Sequence, residues 1–295
     1  LTTKKSPTFV KLCPLLIAIT ITIIAGIGCS DNSAESPGTA EEATAPVNET
    51  PPALTAEEII NRHTAAQEAV TTWRSHITMT MDIAVSTMKS DLLAMSLDTT
   101  GAVDLPAKKM EMDSGISIGL RGKNTSYKSK IKLVDNVLYT SDKETQDNGS
   151  QWKTKTLSGG EMDAVWGKQL DMLSASRYLD IFTTLDSNAP QLVQKDGITC
   201  YLIEMTPDPE VFNERLLELI SQGGSSTEML PFDTMDIFNN AGVSFWIDAD
   251  TYYSIAYEMT ADLTLEDNGS TLKGNLENIG RFYDFDADFS IEAPD

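Results

Sequence analysis

A chain of 295 residues, 41% hydrophobic and 22% charged, is long enough for one domain of ordinary to large size or two small ones. Its 44 acidic side chains against 22 basic ones leave a net charge of −22, which excludes nucleic acid as a partner and opposes close approach to anionic head groups. Three cysteines, Cys13, Cys29 and Cys200, provide no disulfide framework, so stability has to come from a hydrophobic core.

The first segment reads as an export signal. Lys4, Lys5 and Lys11 precede an apolar run that starts at Leu15, is too short for a comfortable membrane span, and ends in small residues around Cys29. An apolar run that closes on a cysteine resembles the bacterial lipobox, in which a peptidase cuts just before a diacylglycerol-modified cysteine. The resemblance implies a signal peptide over residues 1–28, lipidation at Cys29, and an extracytoplasmic protein held to a membrane by its N-terminal lipid. Gly26 departs from the branched aliphatic usual at that position; an ordinary secretory signal and an uncleaved anchor are the alternatives. Residues 29–54 are rich in Ser, Ala, Glu, Thr and Pro, with almost nothing large and apolar to bury, and predict a disordered tether.

Order is expected from Thr55 to the end, as a single domain over 55–295. Thr55 with Glu58 three residues on forms a capping box ahead of Ile59 and Ile60, so TAEEIINRHTAAQEAVTTW predicts a helix. From Ile77 the spacing switches to strict alternation, with Ile77, Met79, Met81, Ile83 and Val85 on one face of a strand and Thr78, Thr80, Asp82 and Ser86 on the other. Leu93, Met95, Leu97, Val103 and Leu105 continue this logic in a second long strand. AKKMEMD, SYKSKIKLV, NVLYTS and QWKTKTL are further strands, with Asp147 to Ser150 a hairpin turn. A helical interlude from Gly159 to Leu185 carries Met162, Val165, Trp166, Leu170 and Leu173 on a broad apolar face. QLVQKDGITCYLIEMT predicts two strands around Asp196 and Gly197, and PDPEVFNERLLELISQ a short helix opened by proline. Gly223 to Asn240 predicts an unusually apolar loop. VSFWID, YYSIAYEMTADLTLE and STLKGNLENIGRFYDF form a closing meander, followed by a last short strand at FSIEAP. The order predicts an α+β fold, with helices gathered on one side of a strongly curved antiparallel sheet.

The lipobox, the Ser/Glu/Pro tether, the helix TAEEIINRHTAAQEAVTTW running into a long alternating strand, the NVLYTSD and QWKTKTL pair, the DGITCYLIEMTPD hairpin, the WIDADTYY turn and the closing YDFDADFSIEAPD together resemble lipoproteins of the LolA/LolB-like superfamily, closest in style to its LppX/LprG-type members. The resemblance spans about Thr55 to Asp295. It implies a half-open antiparallel barrel with helices on its concave side, around a hydrophobic cavity that in several members takes acyl chains. A carrier or sequestering protein for a lipid or an acylated ligand is the function this implies. The alternatives from other classes are a closed-core lipoprotein that contacts another envelope protein, and a sensor. Fold alone does not choose between them.

A physical argument stands beside the resemblance. Methionine is abundant, and Met79, Met81, Met95, Met110, Met112, Met205 and Met259 fall on strand faces, where a flexible, polarizable side chain can line a space of adaptable shape. Ordinary core filling is the competing reading. The candidate cavity walls are Ile77, Met79, Met81, Ile83, Leu93, Met95 and Leu97, with Trp166 and Leu170 from the interlude helix.

No catalytic chemistry is expected. The two histidines, His63 and His76, have no metal-ligand spacing with each other or with cysteine, and no nucleophile elbow, zinc-protease, P-loop or dinucleotide motif occurs. The acidic triplets around Asp248 and Asp250, and at Asp284, Asp286 and Asp288, lack the loop length, glycine and terminal glutamate of an EF-hand and read as solvated turns. No metal and no cofactor is predicted, and Cys200, in an apolar strand, predicts a buried inert thiol.

Overall fold

The computed structural model describes residues 54–85, 92–120, 123–144, 152–173, 186–187, 189–206, 238–267 and 270–294. The signal, the tether, the proline-opened helix, the apolar loop up to residue 237, the second half of the interlude and the tips of the two Asp-Asn-Gly-Ser turns lie outside them. Helix α1 (Ala56–Ala69) leads into strands β1 (Thr72–Val85), β2 (Leu92–Asp104), β3 (Lys109–Leu120), β4 (Lys123–Val134), β5 (Val137–Glu144) and β6 (Lys153–Thr156). Helix α2 (Gly159–Leu173) follows, then β7 (Asp186–Ser187), β8 (Gln191–Lys195), β9 (Ile198–Thr206), β10 (Phe238–Asp248), β11 (Ser254–Asp267) and β12 (Ser270–Tyr283).

All twelve strands of the described residues belong to one antiparallel sheet, in the order β6-β5-β4-β3-β2-β1-β12-β11-β10-β9-β7, with β8 also on β9. The sheet is open and curved. From β6 to β1 and from β12 to β9, neighbours in the sheet are neighbours in sequence, and the two runs join where β1 pairs with the last strand, Arg74 opposite Tyr283 through Val85 opposite Leu272. That pairing brings the two ends of the domain together at the centre of the sheet.

Local chemistry explains the elements. Thr55 caps α1 reciprocally with Glu58: the Glu58 N–H donates to Thr55 Oγ1 at 3.2 Å and the Thr55 N–H to Glu58 Oε2 at 2.8 Å. The backbone bond from Thr55, then its hydroxyl, holds the Glu58 carboxyl below the usual carboxylate range. Thr55→Ala is expected to destabilise the domain by about 1 kcal/mol, read as a lower urea midpoint at unchanged slope. A related arrangement opens α2, where the Ser158 N–H and hydroxyl both donate to Glu161 Oε2 at 3.0 and 2.8 Å. Glu161 also accepts from Lys155, and the Lys155 bond, followed by those from Ser158, pushes its carboxyl down to about 2. The two-residue loops Asp135-Asn136 and Asp196-Gly197 both have positive φ at each position, the mirror-image turn whose twist matches that of paired strands.

Several strands depart from expectation. The first helix stops at Ala69, and β1 begins at Thr72, inside the segment predicted as helix. β3 runs on from the predicted AKKMEMD through Ser114 to Leu120, because Ile116 and Ile118 keep the alternation across the small residues Gly115, Ser117 and Gly119. β10 begins at Phe238, inside the predicted loop. The predicted terminal strand FSIEAP is not a strand. Residues 284–294 instead cross the outer face of the sheet, held by side chains and by the Asp286 N–H, which donates to the Thr72 carbonyl at 2.8 Å, rather than by a ladder. Asp286 accepts from the Thr71 N–H and hydroxyl at 2.8 and 2.7 Å and from the Tyr253 hydroxyl at 2.9 Å, the Arg74 guanidinium lies 5.0 Å from the Phe289 ring centre, and Ile291 is buried against Ala102 and Val134.

The core lies on the inner face. Trp73, Met79, Met81, Ile83, Met95, Leu97, Val103, Met110, Met112, Leu133, Ile203, Val243, Phe245, Tyr257 and Leu276 form one cluster, joined by Ile59 and Ala56 of α1 and Met162 of α2. Among the described residues no helix is long and apolar enough to cross a membrane.

Candidate functional site

The inner face is built row by row from the pairing register. One row runs Met205, Val243, Met259, Asn278, Met79, Leu97 and Ile116 across β9, β10, β11, β12, β1, β2 and β3. The next places Leu276, Met81, Met95 and Ile118 side by side on β12, β1, β2 and β3. Strict two-residue alternation in every strand puts these side chains on one surface, and the register aligns them. All seven strand methionines singled out from the sequence share that surface and are buried.

Of the predicted walls, Ile77, Met79, Met81, Ile83, Met95 and Leu97 are brought together here, and each is buried. Leu93 pairs with Ile83 through the backbone, and Trp166 packs half-buried against the same cluster. The side chains of Leu93 and Leu170 lie outside the described residues, as does Cys29. Burial falls off toward one side of the sheet. Ile116 and Ile118 on β3 are half-buried, and Tyr127, which pairs with Ile116 from β4, is 42% exposed.

Sequence reasoning missed the aromatic end of this face. Phe245, Tyr257 and Phe282 pack ring against ring, with centres 6.1 and 6.0 Å apart, and the Tyr257 ring lies over the bare backbone of Gly280. The Tyr257 hydroxyl donates to Asn278 Oδ1 at 3.2 Å, which satisfies a buried amide in an otherwise apolar row. Asn278 has no periodic signal beyond its place two residues before Gly280 on the same strand face. Thr99 and Ser114 likewise bond each other, at 3.0 Å, on the buried face of β2 and β3.

The buried histidine and cysteine are structural in their geometry. His63 is fully buried, and its Nδ1 stands 2.8 Å from the Tyr252 carbonyl oxygen, so Nδ1 carries the proton and donates. Burial lowers its pKa against the opposing pull of that hydrogen bond, which keeps the ring neutral at pH 7. Burial, then the charge of Asp248, pushes the Cys200 thiol up to about 11, so little thiolate exists near neutrality. His76 sits on the opposite face, paired with Asp98 at 3.2 Å. Among the described residues no group of three or more His, Cys, Asp or Glu side chains is placed to hold a metal ion.

Fold and site together define a class: a protein built on an open, curved antiparallel sheet whose inner surface is largely apolar and rich in methionine. The chain belongs to a family of unknown function, DUF6612, which matches residues 55–295. No curated protein matches it. Among solved structures it is similar to a DUF1329 family protein from Desulfovibrio piger, at 11% identity over 81% of this chain and 95% of that one, with a TM-score of 0.26. It is also similar to a beta-barrel-like protein of the DUF1849 domain from Brucella abortus, at 11% identity over 73% of this chain and 100% of that one, with a TM-score of 0.19. Overlap this slight supports no argument about fold or function.

Proposed function

We propose that this protein is a lipid-anchored, extracytoplasmic binding protein of the LolA-like type, which holds an acyl chain of a lipid or lipoprotein against the inner face of its sheet for transport or sequestration. The observation that carries the reading is the alignment of Met205, Met259 and Met79 in one row, and of Met81 and Met95 beside it, on a single apolar surface. Unbranched thioether side chains reshape around ligands of differing outline at little cost. Each buried methylene contributes about 0.8 kcal/mol, so an acyl chain can be held with no catalytic group and few polar contacts. In this reading α1 and α2 lie across the concave side, and the half-buried Ile116 and Ile118 beside exposed Tyr127 mark where a chain enters. Cys29 supplies the membrane tether, and the strong negative charge holds the domain off an anionic surface.

Native mass spectrometry of the full chain, released gently from detergent, tests this. A co-purified mass corresponding to a lipid is expected. Met81→Trp, which adds bulk in the centre of the apolar field, is expected to weaken binding of a fluorescent fatty acid about tenfold while the circular dichroism spectrum stays native. A protein that carries no lipid, and whose uptake of the probe is the same with and without the substitution, would instead be a closed-core interaction module.

A further inference from the structure

Helix α1 has a thin hold on the sheet. It joins no ladder, and it buries only Ala56, Ile59 and His63. Ile59 and His63 lie one turn apart on the same helix face, so one of the two large side chains that dock α1 is titratable. Elements held by few buried apolar side chains open ahead of the rest of a domain.

The helix is clamped to the turn between β10 and β11. The His63 Nδ1–H donates to the Tyr252 carbonyl at 2.8 Å, and Arg62 Nη1 donates to the Tyr252 hydroxyl at 2.7 Å. The Tyr252 ring in turn stacks on Tyr201 of β9, with centres 6.1 Å apart. Tyr252 has a φ of 61°, which a bulky residue rarely adopts, so the clamp fixes a conformation the residue alone does not favour.

His63 Nε2 is buried and has no hydrogen-bond partner among the described residues. In the neutral ring this atom is an acceptor, left dry at modest cost; a proton there creates a buried cationic N–H with nothing to accept it. The charged groups of α1 itself, Glu57, Glu58, Arg62 and Glu68, are exposed. In the turn, Asp248 Oδ1 accepts from the Asp250 and Thr251 N–H groups at 2.7 and 3.1 Å, Asp250 is exposed, and the Tyr253 hydroxyl is bonded to Asp286. Tyr201 is the titratable group that β9 brings to the turn. None of these gives Nε2 an acceptor. Burial lowers the His63 pKa, and only the bond to the Tyr252 carbonyl opposes it.

We infer that α1 is an acid-released strap: it docks on the apolar inner-face cluster while His63 is neutral, and lets go when His63 takes a second proton, so that Nε2–H reaches water and the surface beneath the helix is uncovered. The histidine binds protons more weakly with α1 docked than with it free. Docking is therefore complete above the free value of about 6.5 and weakens about tenfold for each pH unit below it, until the lower docked value is passed. The device stands whether or not the inner face holds an acyl chain. Its window also lies above that of Asp286, whose carboxyl titrates below about 3.9.

Hydrogen–deuterium exchange of the full chain at about pH 7.5 and about pH 5, corrected for the intrinsic rates, tests it. Peptides from α1 are expected to lose protection about tenfold or more on acidification, reversibly, while those from β1, β11 and β12 keep theirs. His63→Asn retains an N–H donor for the Tyr252 carbonyl and cannot titrate, so its α1 is expected to be equally protected at both values. If that variant does not fold, NMR of isotope-labelled histidine decides in His76→Gln, an exposed change that leaves His63 the only histidine of the chain. The ring is expected to carry one proton, on Nδ1, at the higher pH and to gain the second together with the loss of α1 protection. Equal α1 protection at both values overturns the assignment, as does the same loss in a folded His63→Asn variant, or a doubly protonated His63 with α1 still protected.

Discussion

Gly280→Ala is expected to cost about 2–3 kcal/mol and to lower the thermal midpoint by roughly 5–10 °C. A methyl group at position 280 would overlap three atoms of the Tyr257 ring. That ring cannot retreat: it is fully buried, packed between Phe245 and Phe282, and tied through its hydroxyl to Asn278. Protein interiors are packed too densely to absorb the overlap without moving a neighbour. Tyr257→Ala alone should also destabilise, by about 3–5 kcal/mol through the cavity it leaves. The pair offers a sharper test than either change, because the alanine at 280 then fills part of the space the ring vacated. Urea denaturation of the double variant is expected to show a loss clearly smaller than the two single losses combined; strict additivity would mean the ring does not rest on Gly280.

Asp286→Asn is expected to lower stability by about 1.5 kcal/mol at pH 7 and to loosen the tail from the outer face. Burial alone would raise the Asp286 pKa, but hydrogen bonds from the Thr71 N–H, the Thr71 hydroxyl and the Tyr253 hydroxyl outweigh it, and the net pKa is lowered. A carboxyl with a depressed folded-state pKa contributes stability that is complete above its unfolded value, about 3.9, and is lost as pH falls through the lower folded value. Urea midpoints measured from pH 7 downward should therefore show an acid limb in the native protein that flattens in the Asn variant. Because Asp286 is exposed, solvent screening keeps the effect at the lower end for charged hydrogen bonds. An unchanged acid limb would mean that Asp286 is not what pins residues 284–294.

Much of the fold was legible from spacing. The capping box of α1, the two-residue alternation of β1 and β2, and the turn at Asp196-Gly197 are local features, set by hydrogen bonds and side-chain period within a few residues. The same alternation identified Ile77, Met79, Met81, Ile83, Met95 and Leu97 as sharing a face. It did not identify Phe245, Tyr257 and Asn278, whose importance comes from a ring seated over a glycine on the neighbouring strand. The terminal segment FSIEAP alternates like a strand, yet it joins no ladder; Ile291 finds its apolar partners on the outer face at Ala102 and Val134 instead.

By itself, then, the sequence determined which residues alternate, where helices are capped, where turns admit positive φ, and that the molecule is strongly acidic, because each of these depends on near neighbours or on a simple count. Only the tertiary structure decided that β1 closes against β12, that seven methionines from five strands meet on one surface, and that the terminal segment crosses the outer face, where Asp284 pairs with Arg74. Those depend on register between segments at opposite ends of the domain, which no local pattern encodes.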